Sequence, residues 1–230
     1  MLDISDAQLT GLVTATNQAF QPMYRLNPDK HYHTIQHIDA MLMLSLQHAA
    51  QIGKCFPELA TAEGIRSLVE AILWHDADYR IGAKDNEIRA AALYTSYMGD
   101  HANIDVAKAI LSTMIGNWTF NSGLEMVLHD LDYHTFRDED LMHDAEELLY
   151  GEYLEMVKPN GADPSLEDRR EFLKRQISFY RTLQERDVFV SIFATYNIKA
   201  QENIQARIDS MEDAVNILNE DIERYNNQVF

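Results

Sequence analysis

The chain has 230 residues, 46% hydrophobic and 24% charged, with a formal net charge of −18. That length buries roughly 70–75% of the unfolded surface, enough for one sizeable core, so a single domain over 1–230 is expected. The charge excludes polymeric nucleic acid as a partner, because phosphate backbones bind through counterion release to Lys and Arg; a small anionic substrate is compatible with it, since a bound divalent cation and a few local Lys or Arg reverse the field inside one pocket.

In chain order, the opening MLDISDAQLT has neither the basic start nor the apolar run of a signal peptide, and no later stretch approaches the ~18 apolar residues of a membrane span. A cytoplasmic protein without a membrane partner is expected. Only nine Gly and five Pro interrupt apolar residues that recur at three- and four-residue spacing. The fold class is therefore all-α, with helices over 4–20, 34–53, 61–77, 85–98, 104–116, 121–136, 138–157, 164–186 and 193–227. Cys55 is the single cysteine, so a metal must be held by His, Asp and Glu. PMYRLNPDK and KPNGADPS are the clearest breaks, and in the second Asp163 before Pro164 reads as an N-cap followed by proline at the first helical position.

The long last helix carries Ile204, Ile208, Met211, Val215, Leu218, Ile222 and Tyr225 at alternating steps of four and three. Such a heptad seam serves either to pack the helix on its own domain or to pair two chains, giving a monomer or a homodimer.

The chemistry-bearing residues fall into three segments. KHYHTIQHIDAML carries His33 and His37, one turn apart if a helix begins near Thr34. The apolar run LVEAILW then closes on His75-Asp76, and buried titratable groups are costly unless they are paired or bound to metal. VLHDLDYHTF offers Asp130 and Asp132, about 200° apart on a helix at ~100° per residue, so only one of them faces a given site. Two further His-Asp neighbours, His129-Asp130 and His143-Asp144, read as chance occurrences, the latter on a solvated acidic face.

The order His37, His75-Asp76, then an Asp resembles the HD superfamily of metal-dependent phosphohydrolases, all-helical proteins whose ligands come from separate helices. One branch has R-x-YH-x3-H, HD-x2-Y followed by D-N-E-x2-(S/A)-A, and L-D-x-D-L. Here the counterparts are Lys30, Tyr32, His33 and His37; His75, Asp76 and Tyr79, then Asp85, Asn86, Glu87 and Ala91; and Asp130 with Asp132. The likeness spans roughly residues 25–205. It departs at Lys30, which replaces an arginine, and at Ile115, which stands after Thr113 where the branch has a histidine.

The resemblance implies an HD-type helical bundle, with a motif core at about 25–190 and the heptad helix at about 193–227. It implies hydrolysis of a phosphate ester or anhydride in a small nucleotide-like substrate at one divalent ion (Mn, Co, Ni, Mg, Fe or Zn). The ligands would be His37, His75, Asp76 and Asp132, with Asp130 as the alternative to Asp132 and otherwise an orienting partner for a ligating histidine. Glu87 would orient or deprotonate water, and His33 would donate to the leaving group. Lys30, Lys84, Arg80 and Tyr79 would contact the substrate. A non-catalytic HD-fold protein that binds a nucleotide or a partner is the alternative; a di-iron oxygenase would need extra histidine ligands between the HD pair and the last Asp, where only His101 and His129 stand.

Overall fold

The computed structural model describes residues 30–228, and the helix expected over 4–20 lies outside them. The fold is all-α: among the described residues there is no strand, and the α-helices run α1 (Ile35–Gln47), α2 (Ala49–Cys55), α3 (Ala62–Trp74), α4 (Asn86–Met98), α5 (Ile104–Ser112), α6 (Gly123–Asp132), α7 (Glu139–Val157), α8 (Leu166–Gln184) and α9 (Asn197–Gln228). None of these helices is long and apolar enough to cross a membrane.

The chain groups into two compact units, one ending at His134 but also taking Phe189–Phe193, the other formed by Thr135–Val188 and the residues from Ala194 on. In the first unit α3 is the central element and packs against α1, α4, α5 and α6. Its apolar residues line a wide face on which Leu68, Val69, Ala71, Ile72, Leu73 and Trp74 are all buried, while Glu63 and Arg66 stand exposed on the other. The helix starts where the Thr61 hydroxyl accepts the Gly64 N–H at 3.0 Å. Gly64 is needed there for space, because a Cβ would run into the Glu58 carbonyl of the preceding turn.

In the second unit α8 and α9 lie antiparallel, linked by Arg170 to Asn219, Arg181 to Glu212 and Gln184 to Gln205. The first half of the heptad seam, Ile204, Ile208 and Met211, is buried in this unit, whereas Val215 and Leu218 are half-buried and Tyr225 is 66% exposed. Beneath α9, buried Glu146 on α7 accepts from the Tyr180 hydroxyl at 2.7 Å and pairs with Arg207.

Several boundaries differ from the sequence reading. The expected helix 34–53 breaks at His48, between α1 and α2. The N-cap of α8 is Ser165, not Asp163: the Ser165 hydroxyl accepts the Asp168 N–H at 3.2 Å and the Asp168 carboxylate accepts the Ser165 N–H at 2.7 Å, closing a capping box that satisfies two donors where Asp163 would satisfy one. The helix expected over 121–136 ends at Asp132, before a short 3-10 turn from His134 to Arg137.

Candidate metal centre

Three helix ends meet in the first unit. His37 is on the first turn of α1, His75 and Asp76 follow directly on the end of α3, and Asp132 is the last residue of α6. Helix C-termini carry unpaired carbonyls and partial negative charge, so two of the three ends favour a cation between them.

Donor atoms of His37, His75 and Asp132 all lie within 4.8 Å of one another, a group able to hold a metal ion. His37 Nε2 is 3.2 Å and His75 Nε2 3.7 Å from Asp132 Oδ1. Asp76 Oδ2 adds a fourth donor, 3.1 Å from His75 Nε2 and 4.0 Å from His37 Nε2. Ligands about 2.1 Å from a common ion stand roughly 3.0–3.4 Å apart at octahedral or tetrahedral angles, so the 3.1, 3.2 and 3.7 Å spacings are close to what an ion needs, while His37 Nε2 and Asp76 Oδ2 would have to draw together.

The histidine tautomer supports the same fit. His75 Nδ1 sits 2.8 Å from the Ile72 carbonyl, which can only accept, so Nδ1 carries a proton and Nε2 is the nitrogen turned to the cluster, offering its lone pair to a cation whenever the ring is neutral. His75 Nε2 and Asp76 Oδ2 are buried, and although 3.1 Å apart neither has a hydrogen-bond partner. Orphaned buried donors and acceptors are rare because each costs its desolvation; two of them facing one point suit a cation better than they suit each other.

The charges are strongly interdependent without a cation. Burial opposes a charge on His75, but the neighbouring Asp76 carboxylate and then Asp132 raise its pKa well above the usual value. Burial likewise opposes ionisation of Asp76 and Asp132, yet His75 and His33 hold Asp76, and His37 and His75 hold Asp132, below the ordinary carboxylate range.

Of the two aspartates on α6, Asp132 is turned to the histidines. Asp130 is 0% exposed and faces the other way, accepting the backbone N–H groups of Val190, Ser191 and Phe193 at 2.7–3.0 Å and the Ser191 hydroxyl at 2.8 Å. It therefore does not orient a ligating histidine, as the sequence reading has it; it clasps the Phe189–Phe193 segment to the first unit. Helix geometry forces the split, since neighbours two apart cannot share a face.

The remaining expected site residues divide. His33 precedes α1, and its ring stacks on Tyr79 at 3.6 Å. Tyr79 thus has His33 against its ring, with Lys30 Nζ 5.6 Å from its centroid. Lys30 is buried and reaches the Asp76 backbone carbonyl at 3.4 Å. Glu87 is half-buried; burial first, and the Asp76 and Asp132 charges beyond it, raise its pKa against a lowering backbone hydrogen bond. Asn86 places it, accepting the Arg80 N–H at 2.8 Å and donating to the Arg80 carbonyl at 3.2 Å. Arg80 itself is exposed and pairs with Asp78 at 3.5 Å, and Lys84 is exposed; neither hydrogen-bonds to the cluster.

Ile115, at the position of the branch's missing histidine, is 72% exposed, and His101 is exposed in the 3-10 turn after α4. One residue escaped the sequence reading: His134, buried, with its ring centroid 5.9 Å from that of His37. Its signal was a histidine just past the end of an acid-rich apolar helix, three residues after Leu131 as His75 is three after Ile72. Among protein-family models, curated proteins and solved structures, none matches the chain.

Proposed function

We propose that the chain is an HD-type phosphohydrolase that hydrolyses a phosphate ester or anhydride in a small nucleotide-like substrate, using one divalent ion held by His37, His75, Asp76 and Asp132. The observation that carries this reading is the convergence of the His37, His75 and Asp132 donor atoms from three helix ends, with buried Asp76 Oδ2 beside a His75 Nε2 that likewise has no hydrogen-bond partner. A divalent ion there supplies charge neutralisation for phosphoryl oxygens and an acidified water.

The protein's own groups divide the remaining work. His75, locked by the Ile72 carbonyl, keeps its Nε2 lone pair aimed inward. Glu87, whose carboxyl holds its proton more tightly than an exposed one, is suited to accept a proton from an attacking water. Lys30, beside Asp76, brings positive charge to an otherwise acidic pocket, and His33 stands at its edge on Tyr79. Lys84 and Arg80, on the exposed loop before α4, are assigned to the substrate's outer phosphates or sugar.

The test is metal analysis of the purified protein followed by a phosphate-release screen across nucleotides with Mn, Co, Ni, Mg and Zn. Metal-dependent release that disappears in His75→Ala together with the bound metal is the expected result. Equal metal content in His75→Ala and wild type overturns the reading.

A further inference from the structure

His37 and His75 are oriented by different means. The His75 ring is fixed by its Nδ1–H bond to the Ile72 carbonyl. His37 has its Nε2 at Asp132, and among the described residues its Nδ1 has no hydrogen-bond partner. A ligating histidine usually takes its ring plane from a bond at its second nitrogen, so for His37 that plane must come from packing.

Two rings abut it closely in plane. Tyr32 lies at 4.9 Å and 36°, but is half-buried in the bend before α1. His134 lies at 5.9 Å and 22°, is buried, and is itself anchored by Nδ1 at 2.8 Å from the Leu131 carbonyl. His134 is thus the rigid surface, tied to the end of the same helix that carries Asp132.

We infer that His134 is a positioning residue whose anchored ring sets the plane of the His37 imidazole and thereby the affinity of the His37, His75 and Asp132 group for a divalent cation. The inference rests on the metal-site reading above. It assigns His134 no bond to the ion: His134 acts through the face of its ring, and the nitrogen that anchors it points to a carbonyl.

Two substitutions separate ring from nitrogen. His134→Gln keeps an N–H donor and removes the ring; His134→Phe keeps a ring and removes the nitrogens, with His134→Tyr in its place if the Phe chain does not fold. Each full-length protein is titrated with cobalt(II), reading affinity and the visible bands that report ligand geometry, with far-UV circular dichroism as the check on folding. His134→Gln is expected to weaken cobalt binding by about tenfold or more, the size of effect seen when a ligand's supporting partner is lost, and to alter the bands. The aromatic variant is expected to keep most of the affinity and the wild-type bands. An aromatic variant as weak as His134→Gln, or a His134→Gln protein that binds like wild type, overturns the inference while leaving the metal site standing. A wild-type protein that binds no cobalt overturns the metal-site reading and this inference with it.

Discussion

His37 Nε2 lies 3.2 Å from Asp132 Oδ1, joining the first turn of α1 to the last residue of α6 across 95 positions of sequence. In the metal-free protein that contact requires a proton on one partner, as does the closeness of His75 to two carboxylates. Protons and a divalent cation therefore compete for the same lone pairs.

That competition fixes a pH dependence. The pKa of His75 is raised in the folded protein, with burial opposing and Asp76 and Asp132 outweighing it, so its contribution to stability is complete below the unfolded value of about 6.5 and is lost as pH rises through the folded value. Asp76 and Asp132 are depressed, so their contribution is present above about 4 and is lost as pH falls through their folded values. The metal-free protein should lose stability on the alkaline side of neutrality. A bound cation requires deprotonated His75, so the rise in melting temperature on adding metal should grow from pH 6 to pH 8. Scanning calorimetry with and without cation measures it, and a rise that shrinks over that interval contradicts the account.

Asp130 and Asp132 should separate cleanly on mutation. Asp130→Ala strands three backbone N–H groups and a hydroxyl inside the first unit, a loss of more than about 3 kcal/mol, with metal still bound by whatever protein remains folded. Asp132→Ala should abolish or greatly weaken metal binding at a smaller cost in stability. Urea unfolding paired with metal analysis distinguishes the two; the reverse pattern would exchange their roles.

Glu87→Gln should retain metal while turnover drops by about 10² or more, the usual contribution of a positioned general base. The assay is phosphate release on whichever substrate the screen identifies. Unchanged turnover would return Glu87 to a merely half-buried surface position.

The capping box gives a prediction independent of the metal. Ser165→Ala should cost about 1 kcal/mol, while Asp163→Ala should leave the α8 cap intact. Asp168 is half-buried and is held at about 2 by its Lys158 hydrogen bond and then, against burial, by Ser165. Thermal melts of the two variants decide between the two cap positions.

Local pattern was enough to read the helical class, the long last helix and the His37, His75-Asp76, Asp order, because helical periodicity and turn residues act within a few positions of one another. It was also enough to say that only one of Asp130 and Asp132 faces any one site. Which one was settled by packing: Val190, Ser191 and Phe193 arrive from some sixty residues further on to take Asp130. The break at His48 and the N-cap at Ser165 likewise depend on hydrogen bonds that neighbouring positions of similar composition could make in a different register. His134 became visible as a neighbour of His37 only in three dimensions, because a contact between α1 and the end of α6 is made by the fold that carries both and is encoded in neither segment alone.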